Sequence, residues 1–123
     1  MKAAKYYGPN DIRIEDVDEP KLTDDGIIIQ MKAAGICGTD IHRWNTKGLK
    51  ELTTDVVRIM GREFSGQVIE VGQNVSDIKQ GDRVVAIGAG AFADYISIPK
   101  ATLNWNVFIL PDELSYELGA TVQ

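Results

Sequence analysis

The sequence holds one cysteine and one histidine in 123 residues. A single cysteine excludes an internal disulfide and suits a reducing cytoplasm. The same two counts exclude a zinc cluster built from Cys and His alone, although carboxylates remain available as ligands. No apolar run approaches the roughly 18 residues that a membrane span needs. The opening Met1-Lys2-Ala3-Ala4-Lys5-Tyr6-Tyr7 lacks the long apolar stretch of a secretory signal. A cytoplasmic protein with no membrane partner is therefore expected. Basic residues are few and scattered. Thirteen of them against eighteen acidic residues give a net charge of −5, without the basic stripe a nucleic-acid surface requires. The chain also lacks the length of a two-domain enzyme, so one domain spanning 1–123 is expected.

What is present describes one globular unit, with 44% hydrophobic and 25% charged residues. Twelve glycines and four prolines punctuate short β-rich runs. Lys2 to Tyr7 and Ile12 to Val17 read as two strands joined at Gly8-Pro9-Asn10-Asp11, where Pro fixes φ and Asn and Asp bond the backbone. Alternation fades along the second, which marks it as an edge. Further strands are expected at Ile27 to Ala34, Glu63 to Val71, Arg83 to Ile87 and Phe92 to Ile98. Gly66 inside Glu63 to Val71 signals a bulge or a close backbone approach. Thr39 is expected to cap a short helix over Asp40 to Asn45, and Ser115 to start a second with Glu117 in its first turn. Thr46 to Met60 reads as a long irregular excursion. Frequent strands with turns between them favour a mainly β barrel or sandwich over a βαβ array.

Gly88-Ala89-Gly90-Ala91-Phe92-Ala93 matches G-x-G-x-x-A, the relaxed dinucleotide fingerprint. That motif needs a helix whose first amides hold a pyrophosphate, then a second parallel strand. Here an alternating strand runs straight to Pro99, so the segment reads as a turn between strands. The denser chemistry lies in Gly35-Ile36-Cys37-Gly38-Thr39-Asp40-Ile41-His42, which packs a thiol, a hydroxyl, a carboxylate and the imidazole into six positions after a strand. A thiolate there suits zinc, and a hydroxyl can pass a proton to an imidazole near solvent. Thr39 and Asp40 serve equally well as helix caps, and Glu63 as half of a salt bridge with Arg62. Trp44 and Trp105 read as packing or interface residues.

These residues, with Gly61-Arg62-Glu63-Phe64-Ser65-Gly66-Gln67-Val68-Ile69-Glu70-Val71-Gly72, Gly81-Asp82-Arg83-Val84-Val85 and Leu110-Pro111-Asp112-Glu113-Leu114-Ser115, resemble the zinc-type medium-chain alcohol dehydrogenase superfamily. Its polyol, butanediol and threonine dehydrogenases are the nearest in flavour. The resemblance runs through nearly the whole chain in order. It implies a GroES-like β-barrel with one or two short helices, the catalytic-side domain of an NAD(P)-dependent enzyme whose Rossmann domain comes afterwards. It further implies Cys37 as a zinc ligand, Thr39 as the hydroxyl on the alcohol oxygen, and Asp40 as the carboxylate holding a histidine ligand in its tautomer. His42 is implied as the outlet of the proton relay, and Glu63 as the carboxylate beside the metal. A small alcohol or polyol is the implied substrate, and the parent chain's Rossmann domain the implied partner. An exposed domain face also predicts a homo-oligomer.

The sequence departs from this pattern at the metal. The family reads Gly-His-Glu where this chain has Gly61-Arg62-Glu63, and its third ligand falls about where Gln123 stands. Arginine cannot deprotonate to ligate, and its cation repels Zn²⁺. No dehydrogenase turnover with NAD(P) is expected of these 123 residues alone. Two alternatives follow: a zinc-free reductase type in which Arg62 supplies the fixed positive charge, or an interaction module without chemistry.

Overall fold

The computed structural model describes residues 1–45 and 58–122. Most of the expected Thr46 to Met60 excursion, and Gln123, lie outside the described residues. The chain forms strands β1 (Lys2–Gly8), β2 (Asp11–Asp16) and β3 (Ile27–Gly35), then helix α1 (Gly38–Asn45). Strands β4 (Arg58–Ile59), β5 (Glu63–Val71), β6 (Arg83–Ile87), β7 (Tyr95–Ile98) and β8 (Val107–Ile109) follow, and the single-turn helix α2 (Tyr116–Gly119) comes last.

The strands make two antiparallel sheets, of order β2-β1-β4 and β7-β3-β5-β6-β8. The mainly β expectation holds, with β2 at an edge as the fading alternation predicts. The barrel does not: among the described residues neither sheet closes on itself. Closure would require the outer strands β7 and β8 to pair. β8 is only three residues long, and the backbone on its outer side is spent locally. Asn104 N–H donates to the Val107 carbonyl at 2.8 Å, and Val107 N–H to that of Thr102 at 3.4 Å. β7 ends against Pro99, which has no N–H to extend a ladder. The two sheets are stitched by a few bonds instead. Ala4 N–H donates to Phe92 O at 2.7 Å and Asp94 N–H to Lys2 O at 3.0 Å, around an isolated Ala3–Ala93 bridge.

Period-two alternation builds the core. Phe64 and Val68 of β5 and Val84 and Ala86 of β6 face inward against Ile27, Ile29, Ile96, Ile98 and Val107. Gly66, on the same face, is the close approach that the sequence suggested. A Cβ there would stand 2.6 Å from Ile29 Cγ2, and β3 shifts register beside it. The other face of β5 and β6 presents Ser65 and Val85, and α2 lies on it. A single helical turn is unstable by itself, so tertiary bonds must hold it. Ser115 caps it as expected, accepting the Leu118 N–H at 3.2 Å. The buried Ser65 hydroxyl donates to the Tyr116 carbonyl. The Arg83 guanidinium donates to the Pro111 and Leu114 carbonyls and stacks over the Tyr116 ring at 4.6 Å.

Candidate functional site

The residues singled out by the sequence gather where β3 ends and β5 begins. α1 starts at Gly38, two residues earlier than a Thr39 cap would give, with Cys37 just outside it. The Asp40 carboxylate turns back and accepts the Cys37 N–H at 3.0 Å, the reciprocal half of a capping box. Its second oxygen accepts the Gly61 N–H at 3.3 Å. Asp40 is 3% exposed, so one buried carboxylate ties the start of α1 to the turn that carries Arg62. Gly61 has φ +88°, a conformation that favours glycine, and a Cβ there would run into the Phe92 ring.

Thr39 and His42 stand three apart on α1, which places them on adjoining turns of the helix surface. Thr39 is half-buried and His42 exposed. Arg62 is exposed at the mouth of β5, while Glu63 next to it is half-buried and pairs with Gly35 of β3 and Ile87 of β6. Gly35 is not a turn residue here. It sits at the end of β3 because α2 closes over it: an added Cβ would lie 2.8 Å from the Ala120 carbonyl and 3.6 Å from Glu63 Oε2.

The structure thus brings Cys37, Asp40 and the Gly61–Glu63 segment to one end of the larger sheet. Among the described residues, no group of three or more His, Cys, Asp or Glu side chains is placed to hold a metal ion. Both oxygens of Asp40 already accept backbone N–H groups. A catalytic zinc needs three protein ligands with an open fourth position. The half-buried Cys37 thiol and a guanidinium at position 62 do not supply that set, so these residues do not fit the metal.

The Gly88–Gly90 segment forms no helix and no phosphate loop. Gly88 N–H donates to Arg62 O at 3.1 Å and Gly90 N–H to Gly61 O at 3.0 Å. It is a turn that buttresses the Gly61–Arg62 segment. Trp105 is 79% exposed and Trp44, on α1, 38%, so the packing half of their expectation fails and a surface role is left. Sequence reading placed Tyr6, Ser65 and Arg83 in strands and motifs but gave them no bond to the helices, which all three make or adjoin. The available signal was a lone serine between inward-facing Phe64 and Gly66.

Residues 23–111 match the family described as the alcohol dehydrogenase GroES-like domain. The chain belongs to this family. An (R,R)-butanediol dehydrogenase of Bacillus subtilis (strain 168) is 37% identical to this GroES-like domain, over 100% of this chain and 44% of that protein. The crystal structure of 2R,3R-butanediol dehydrogenase from Bacillus subtilis aligns with a TM-score of 0.81 at 35% identity, over 97% of this chain and 43% of that one. Escherichia coli quinone oxidoreductase, solved in complex with NADPH, aligns with a TM-score of 0.78 at 26% identity, over 99% and 36% of the two chains. The GroES-like domain therefore spans less than half the length of these relatives. It resembles the catalytic and substrate side of medium-chain oxidoreductases. No helix among the described residues is long and apolar enough to cross a membrane.

Proposed function

We propose that residues 1–123 form the substrate-side domain of a carbonyl reductase that works without a catalytic zinc, with Arg62 as its fixed positive charge. The observation that carries this reading is the exposed guanidinium at the mouth of β5, held between Gly61 and Glu63 where the resemblance expects a histidine ligand. A carbonyl oxygen gains negative charge as hydride reaches its carbon, and a preorganised cation stabilises that charge. A guanidinium does this at any physiological pH, since it does not deprotonate. Thr39 then donates its hydroxyl proton to the nascent alkoxide, and His42, exposed on the same helix surface, replenishes it from water. A nicotinamide cofactor, held by residues outside these 123, would supply the hydride. The substrate is a small ketone or hydroxyketone, and the setting is cytoplasmic, where Cys37 stays reduced.

Two solution measurements test this. Chain dialysed against zinc and then against buffer is expected to retain well under one metal per chain, and stoichiometric zinc would overturn the reading. Acetoin and acetate, titrated separately, are expected to shift the amide resonances of Gly61 to Glu63 in the parent and not in Arg62→Ala. Equal shifts in both proteins would remove Arg62 from the site.

The zinc-dependent alcohol or polyol dehydrogenase reading keeps the support of the butanediol dehydrogenase relative. It would regain ground if Arg62→His bound zinc tightly through Cys37 and Glu63. Self-association is also proposed. Ile36, Ile41, Trp44, Leu118 and Val122 are exposed at or next to the two helices, and sedimentation showing a monomer at every concentration would exclude it.

A further inference from the structure

The far end of α1 is held as firmly as its start, and by a different sheet. The last carbonyls of any helix lack intrahelical partners. In α1 two of them are met by the β1–β2 hairpin. The Tyr6 hydroxyl donates to the Arg43 carbonyl at 2.8 Å, and the Asn10 N–H donates to the Trp44 carbonyl at 3.1 Å. Tyr6 is 7% exposed, so its hydroxyl is held from a buried ring. Asn10 reaches Trp44 from the tip of the hairpin with φ +61°, a left-handed conformation that asparagine tolerates. An eight-residue helix on which only Asp40 is buried gains little from burial. Bonds at its two ends therefore carry much of its placement.

We propose that the β1–β2 hairpin is the clamp that places α1, and that Tyr6 is a positioning residue for Thr39 and His42. This rests on α1 being the helix that serves the proposed carbonyl site. Asp40 fixes the start of the helix to the Gly61 turn, and Tyr6 fixes its end to the smaller sheet. The helix then bridges two sheets that share few other bonds. Loss of the Tyr6 bond leaves that end on the Asn10 to Trp44 bond, so the helix tilts about Asp40 and the displacement reaches His42. The hairpin contributes no chemistry of its own; it decides where the imidazole stands.

Tyr6→Phe removes the hydroxyl and keeps the buried ring. Tyr7→Phe is its control, because Tyr7 lies on the opposite face of the same strand and its hydroxyl bonds Glu15 instead. His42 is the only histidine, so its ring gives a single Cε1–H resonance to follow at fixed pH. The expected result is a shift of that resonance in Tyr6→Phe. Amide exchange in the last turn of α1 should also accelerate by about two- to tenfold, the range set by one lost hydrogen bond. Tyr7→Phe is expected to change neither. The proposal is overturned if Tyr6→Phe leaves the His42 resonance in place, or if both variants move it alike. Neither readout involves Arg62. Failure of the carbonyl-site reading would appear in the acetoin and acetate titrations alone.

Discussion

Asp40 offers the sharpest test of how this end of the molecule is built. Its two oxygens accept one N–H from Cys37 and one from Gly61, and its side chain is almost wholly out of water. Asp40→Ala removes both acceptors at once. Gly61 is buried, so its N–H is left unsatisfied, at about 1–3 kcal/mol. Cys37 is half-buried, and water recovers most of its bond, leaving about 1 kcal/mol of net loss. The expected destabilisation is therefore about 2–4 kcal/mol, a large share of the 5–15 kcal/mol typical of a domain. Asp40→Asn keeps one acceptor oxygen but turns an NH₂ toward the other N–H, so it is expected to recover less than half of that loss. Urea unfolding followed by far-UV circular dichroism gives both values. Hydrogen exchange at the Gly61 amide should accelerate in step with them. A midpoint for Asp40→Ala within about 0.5 kcal/mol of the parent, at unchanged slope, would refute the tie between α1 and the Gly61 turn.

Two further outcomes follow from the same bonds. Arg83 grips the Pro111 and Leu114 carbonyls and the Tyr116 ring, so Arg83→Ala is expected to cost about 2–3 kcal/mol. Arg83→Lys should restore little, because an ammonium has no planar fork. Unchanged amide exchange at Leu118 to Ala120 would show that α2 is held by something else. On the hairpin, the Tyr7 hydroxyl and then the Lys5 ammonium hold the Glu15 carboxyl below its ordinary 4.5, and Arg13 and Lys2 hold Asp11 and Asp16 below 3.8. Groups lowered in this way stabilise the fold above their unfolded values and lose that contribution as pH falls through the folded ones. Stability is thus expected to decline below about pH 4.5, and Glu15→Gln to flatten the upper part of that decline. An acid limb identical in Glu15→Gln and parent would contradict this.

Much of the fold was legible because period-two alternation and turn chemistry act over a few residues. β1, β2, β3, β5 and β6 lie where Val, Ile, Ala and Tyr runs break at Gly, Pro, Asn and Asp. Ser115 announced α2 through its own cap. The start of the helix after Cys37 was misplaced by two residues because Thr39 and Asp40 are both good caps. The choice fell to Asp40, whose carboxylate reaches backward to Cys37 and across to Gly61, and the second of those bonds spans 21 positions.

By itself the sequence determined the mainly β composition of the domain, its family, and the chemical identity of position 62. These are properties of local pattern and of residue type, and arginine cannot become a zinc ligand in any fold. The tertiary structure alone decided that the sheets stay open, since closure depends on how far β7 and β8 run and where their backbone bonds are spent. It alone decided which side chains hold the helices. Tyr6, Ser65 and Arg83 bond carbonyls 28 to 51 residues away, and no periodicity in the chain encodes a partner at that distance.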